Sequence, residues 1–291
     1  MMDKLKKLEE KYKNIPIPEN LDAVVEASLK KNRKRQMPKW FLGMTAAAAL
    51  FIASLNMSPT MAKALGELPV LGDVVHVLTF VHYEKQEDTY SANIDVPLIS
   101  GNSDAINALN EKYAKEGKAL YEQFEKEMEG MQQVEGGHLG VDSGYIVATD
   151  TEKLLSIGRY VVNTVGSSST VMQYDTIDKQ KEIVLTLPSL FKDDSYISII
   201  SEYITEKMQE EMLATNQEKV YWVKGAGLAD EDLVDTFTSI RPEQNFYITA
   251  KNKLVIVFDK YEVAPGYMGV IEFEIPTELI KDTRMNDEYI Q

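Results

Sequence analysis

The 291-residue chain contains no cysteine, only three histidines and two tryptophans. Without a thiol there is no disulfide, no cysteine nucleophile and no thiolate zinc site. A domain that folds without oxidation suits export from a bacterial cell. The histidines, His76, His82 and His138, leave little material for imidazole chemistry. No H-E-x-x-H, G-x-S-x-G, phosphate-binding loop or G-x-G-x-x-G occurs. His82 and Glu84 have the spacing of metal ligands on a strand, but they read more simply as ordinary sheet residues. Carboxylates are abundant and none is singled out, so a polysaccharide-modifying enzyme is a minor reading. No cofactor or metal is expected.

Basic charge is scarce beyond the N-terminus. Of 31 Lys/Arg and 46 Asp/Glu, residues 1–39 hold 11 and 6, a net of +5. The remainder holds 20 and 40, a net of −20. So acidic a body repels nucleic acid and favours a cationic partner, although simple solubility accounts for the charge equally well.

One long apolar run is present. Trp40 to Ala64, WFLGMTAAAALFIASLNMSPTMAKA, places 23 uncharged residues between Lys39 and Lys63. As a helix these span about 34 Å, enough for a bilayer core of about 30 Å. The strongly apolar part, Trp40 to Leu55, is shorter, because Asn56, Ser58 and Pro59 weaken its end. KKNRKRQMPK precedes it with six basic residues and no acid, so the N-terminus is expected in the cytoplasm and the body outside. Ala62-Lys63-Ala64 has the small-x-small pattern of a signal-peptidase site, with cleavage expected between Ala64 and Leu65.

The tail before this run reads as two short helices broken by IPIP at residues 15–18. Leu5, Leu8 and Tyr12 share one face of the first; Leu21, Val24 and Val25 follow helical spacing in the second. So short a tail cannot bury a core of its own, and its stripes require a protein partner or the membrane surface.

Beyond the membrane, residues 65–80 read either as an amphipathic surface helix or, at their end, as a first strand. A strand is expected over 88–99, closed by Pro97. GNSD then starts a long helix with Ile106, Leu109, Tyr113, Leu120, Phe124 and Met128 in register and KEGK on the wet side. HLGVDSGYIVATD, LLSIGRYVVNTVG and TVMQYDTID read as strands joined by short loops, among them GSSS at 166–169. DDSYISIISEYITEKMQEEM is a second helix, and NFYITAKNKLVIVFDKYEVAPGYMGVIEFEIP supplies two or three further strands. The expected fold is α+β, an antiparallel sheet packed with two helices, after a short helical cytoplasmic tail and a single transmembrane helix. The divisions fall at 1–39 (tail), 40–62 (membrane), 63–84 (juxtamembrane) and 85–291 (extracellular domain).

KLEEKYKNIPIPENLD, the basic run, the apolar segment and MAKALGELPVLG resemble, in this order, the anti-sigma-V factors of Gram-positive bacteria. In the outer domain the resemblance continues through NEKY at 110–113, LLSIGRY at 154–160, LTLPSLFKD at 185–193, FYIT at 246–249 and LVIVFDKYEVAPGYMG at 254–269. The resemblance implies a cell-membrane regulator, not an enzyme. Its tail would hold an extracytoplasmic-function sigma factor of the sigma-V type inactive. A c-type lysozyme would bind the outer domain, signal peptidase would then cut beside Ala64, and a site-2 intramembrane metalloprotease would release the sigma factor. Lysozymes of this type are strongly basic, which agrees with the charge reading.

Two loops are the candidate lysozyme contacts. YEVAPGYMG, residues 261–269, fixes a turn at Ala264-Pro265-Gly266 and projects Tyr267 and Met268 from its tip. The resemblance marks Pro265 and Tyr267 most strongly. The small polar run Ser167, Ser168 and Ser169 is the second. A signal-anchored module binding peptidoglycan without a sigma factor is the alternative, and the two-striped tail is the feature that disfavours it.

Overall fold

The computed structural model describes residues 77–291 apart from 102, 133–136, 217 and 226–235. The tail positions Leu5, Leu8, Tyr12, Leu21, Val24 and Val25, the apolar run 40–62 and the expected cleavage site at Ala62, Ala64 and Leu65 lie outside the described residues. No helix among the described residues is long and apolar enough to cross a membrane.

A six-stranded sheet runs in sequence order: β1 (Val77–Glu87), β2 (Tyr90–Ile99), β3 (Leu139–Asp150), β4 (Leu154–Val165), β5 (Ser167–Asp178) and β6 (Ile183–Leu185). The end of the 65–80 segment is therefore strand, since Val77 to Phe80 already belong to β1. All neighbours are antiparallel except β2 and β3, which are parallel over Tyr90–Ile94. This corrects the expected antiparallel sheet. Between those strands lies α1 (Asp104–Gln132), and a 29-residue helix carries the chain back to the end from which β2 started.

Ser103 begins α1, its Oγ accepting the Ile106 N–H at 3.2 Å. Ile106, Leu109, Tyr113, Phe124 and Met128 are buried against the sheet, as their spacing predicts. Asn110 fastens the helix to the end of β2, where its amide donates to Ile99 O at 2.8 Å and accepts from Ile99 N at 2.9 Å. Gly117 lies on the sheet side and not on the wet side with its KEGK neighbours. A Cβ there would come within 2.4 Å of Val96 Cγ2, so the missing side chain sets how closely helix and strand approach.

The remaining strands form a second sheet, which the single-sheet expectation did not include. Here β7 (Phe246–Ile248), β8 (Leu254–Phe258) and β9 (Ile271–Ile275) pair antiparallel, with β8 central. The second helix, α2 (Ser195–Ala214), buries Tyr196, Ile200, Ile204, Met208 and Met212. These pack in one core with Phe246, Ile248, Ile256, Phe258, Phe273 and Ile275. Fully burying each such side chain contributes about 1.5–3 kcal/mol, so this apolar cluster holds the second sheet together. It joins the large sheet through β5 and β4; Thr149, on β3, donates to Ile248 O at 2.6 Å.

Candidate functional site

The hairpin between β4 and β5 is tighter than expected. The strands stay in register to the pair Val165–Ser167, leaving Gly166 alone at the tip with φ of 78°. Ser167, Ser168 and Ser169 are therefore strand residues opposite Val165, Thr164 and Asn163, not a loop. The β-branched run VVNTV carries the ladder to the tip, and only glycine takes the left-handed turn without steric cost. Ser167 is exposed; Ser168 and Ser169 are half-buried.

The second candidate starts where β8 ends. Glu262 closes a short turn, its N–H donating to Asp259 O at 2.9 Å and its carboxylate accepting Asp259 N–H at 2.8 Å. Val263 and Ala264 then dive into the core, so Ala264, expected in the turn among the candidate contacts, has its side chain buried. The Val263 carbonyl holds the N–H of Trp222 at 2.8 Å. The tip itself is a single 3-10 turn, Gly266–Met268, led by Pro265 and closed by the Met268 N–H donating to Pro265 O at 2.9 Å. Pro265, Gly266 and Met268 are half-buried. Tyr267 is 67 % exposed, and its hydroxyl donates to Glu218 O at 3.0 Å, which fixes the ring's direction.

The fold brings the hairpin to the root of the loop that carries this turn. From Ser168 to Tyr174 the outer edge of β5 is met by the residues at the start of the loop and before β7. Lys260 N–H donates to Thr170 O at 3.2 Å, and Lys260 Nζ donates to Ser168 Oγ at 2.9 Å. Asp259 Oδ1 accepts Met172 N–H at 2.6 Å; Asn245 donates to Met172 O at 2.6 Å and accepts Tyr174 N–H at 3.2 Å. Burial pushes the Asp259 carboxyl above its usual range, against the opposing hydrogen bond from Met172. Asn245, Asp259 and Lys260 were not singled out from sequence. The available signal was a charged pair placed immediately after the buried strand LVIVF.

Two of the resembling motifs prove to build an internal support. Arg159, from LLSIGRY, lies over the Tyr113 ring at 4.2 Å and donates to Glu116 at 2.6 Å and Gln173 at 2.7 Å. Tyr113, from NEKY, donates to Asp175 at 2.9 Å, and burial first, then the Asp175 charge, push its phenol far up. This cluster floors a groove of about 340 Å³ between α1 and strands β2 to β5. His82 pairs with Asp95 across the β1–β2 ladder at 2.8 Å and lies 3.8 Å from Glu84. Among the described residues no three His, Asp or Glu gather as metal ligands.

Residues 188–278 match a family model described as a protein of unknown function, DUF3298. A DUF3298 family protein from Pseudomonas aeruginosa PAO1 is similar in structure, with a TM-score of 0.50 at 13 % identity, covering 78 % of this chain and 98 % of that one. A member of the same family from Bacteroides fragilis NCTC 9343 gives a TM-score of 0.47 at 16 % identity, covering 73 % and 94 %. The Pseudomonas likeness shows the fold alone. The anti-sigma-V factor RsiV of Bacillus subtilis (strain 168) is 43 % identical over 295 aligned positions, which cover 100 % of both chains. With that identity sustained from end to end, the chain belongs to the family of anti-sigma-V factors.

Proposed function

We propose that the protein is a single-pass cell-membrane anti-sigma factor whose outer domain is a receptor for c-type lysozyme. Residues 1–39 sequester an extracytoplasmic-function sigma factor through the apolar faces of Leu5, Leu8, Tyr12, Leu21, Val24 and Val25. Residues 40–62 anchor the chain. When lysozyme binds outside, signal peptidase cuts between Ala64 and Leu65, and a site-2 metalloprotease cuts the remaining membrane helix to free the sigma factor. The protein itself regulates and does not catalyse.

Family membership supports the sigma-binding half. The observation that carries the receptor half is the chain of contacts linking two segments about 95 positions apart: Lys260 bonds Ser168 and lies beside the Tyr261 ring, which packs on Gly266 of the turn. Tyr267 projects from this surface on a short, hydrogen-bonded turn, and a rigid exposed ring is the residue type that dominates interface energetics. The surrounding acidic body attracts a basic partner and speeds its encounter. Binding of lysozyme to the full-length protein in detergent tests the reading. Removing a central aromatic anchor costs about 2 kcal/mol or more, so Tyr267→Ala is expected to weaken affinity by roughly 30-fold. Absence of binding by the wild type sinks the receptor half.

A further inference from the structure

A lysine at the centre of a surface built to meet a cationic protein is electrostatically out of place. Lys260 nevertheless sits between the two segments. Its Nζ donates to Ser168 Oγ at 2.9 Å and lies 5.2 Å from the centroid of the Tyr261 ring, while its N–H holds Thr170 O at 3.2 Å. Tyr261 in turn takes φ of 72°, a conformation that bulky L-residues avoid. Such strain persists only where the surroundings over-determine it. Its ring fills the space over Gly266, where a Cβ would come within 2.2 Å of the ring carbon. An unbroken line of contacts therefore runs from the hairpin, through Lys260 and Tyr261, to the turn that carries Tyr267.

We propose that Lys260 and Tyr261 are positioning residues that lock the hairpin and the Pro265–Met268 turn into one preformed lysozyme-binding surface. Their charge and ring act inside this protein, across Ser168 and Gly266, and not on the partner. Preforming the surface removes the ordering cost from association, and its loss appears chiefly as faster dissociation. The proposal rests on the lysozyme reading for its partner only; the lock itself is a property of the chain alone.

Charge and positioning predict opposite signs for one substitution. Lys260→Met keeps the bulk of the stem and removes the cation, so attraction to a basic partner rises while the hydrogen bond to Ser168 disappears. A charge-assisted hydrogen bond of this kind supports an expected loss of roughly tenfold in lysozyme affinity for the full-length protein in detergent. Ser168→Ala is expected to lose at least as much, since Ser168 is itself a candidate contact, and adding Lys260→Met to it costs nothing further, because the bond they share is already gone. Lys260→Arg retains the donor and restores binding. Tyr261→Asn keeps a residue that tolerates the left-handed backbone, removes the ring and weakens binding.

Unchanged or tighter binding by Lys260→Met, or a further tenfold loss when it is added to Ser168→Ala, overturns the proposal. Tyr267→Ala, measured alongside, reports on the lysozyme reading itself. Hydrogen exchange without any partner keeps the two failures apart. There Lys260→Met must speed exchange over residues 261–269 and 166–170 while the melting temperature holds, and unaltered exchange refutes the lock whether or not lysozyme binds.

Discussion

Gly117→Ala sets two effects of known size against each other. Alanine in a helix interior is favoured over glycine by about 0.8–1 kcal/mol, so on propensity alone the variant is stabilised. The new Cβ, however, would stand 2.4 Å from Val96 Cγ2, well inside van der Waals contact. Val96 is 3 % exposed, β-branched and fixed in β2, so it has little room to yield. Overpacking of this sort costs about 1–3 kcal/mol. With Val96 unable to yield, sterics outweigh propensity, and a net destabilisation of up to about 2 kcal/mol is expected. For a domain of this size that lowers the melting temperature by up to roughly 8 °C, read by circular dichroism on the full-length protein in detergent. The double variant Val96→Ala with Gly117→Ala supplies the check. Shortening Val96 makes room for the methyl group, so adding Gly117→Ala to Val96→Ala must cost less than adding it to the wild type. A Gly117→Ala protein that melts higher than the wild type refutes the close approach of α1 to β2.

Asn110→Ala leaves the Ile99 N–H and carbonyl without their partner and is expected to destabilise the domain by about 1–3 kcal/mol, measured by urea denaturation. Hydrogen bonds from Lys153 and then Lys181 hold the Glu288 carboxyl below its usual range. A carboxyl depressed in the folded state stabilises above its unfolded pKa, and that contribution is lost as pH falls through the lower folded value. Glu288→Gln should therefore flatten the acid limb of the stability–pH curve, and an unchanged limb contradicts the pairing. Ala64→Trp should block signal peptidase, so that lysozyme no longer induces sigma-dependent transcription in a reporter strain; normal induction refutes the assigned cleavage site.

The helices were legible in the sequence because their signals are local. Ile200, Ile204 and Met208 recur at helical spacing in α2, and the buried set of α1 follows the same rule. The three long strands β3 to β5 were legible from their β-branched and aromatic content. The partition into two sheets was not, since β6 and β7 are separated by about 60 residues and each has only three. No short-range pattern says that such strands do not pair. The strand expected over 88–99 is observed as Tyr90–Ile99, with Pro97 inside it and not closing it. The ladder is already broken opposite it, where the register shifts between Thr79 and Val81, and a proline is tolerated at a bulge. At the candidate site, Tyr267 and the turn were readable from proline and glycine. Ala264, expected in the exposed turn, is buried because its position depends on Trp222 and the core behind it, and the hydrogen bonds of Lys260 depend on a hairpin roughly 90 positions earlier.

The side chains of Asn245 and Asp259 that occupy the edge of β5 have a consequence for colloidal behaviour. An uncovered strand edge from Ser168 to Tyr174 would offer its amides and carbonyls to any passing strand, beside the exposed apolar residues Val165 and Val171. Asn245, Asp259 and Lys260 satisfy alternate groups along this edge and take away the template. The same loop root that presents the Pro265–Met268 turn thereby insulates the sheet against chain-to-chain strand addition. Variants at Asp259 or Asn245 should therefore be found in the aggregated fraction after concentration, even where their melting temperatures are preserved.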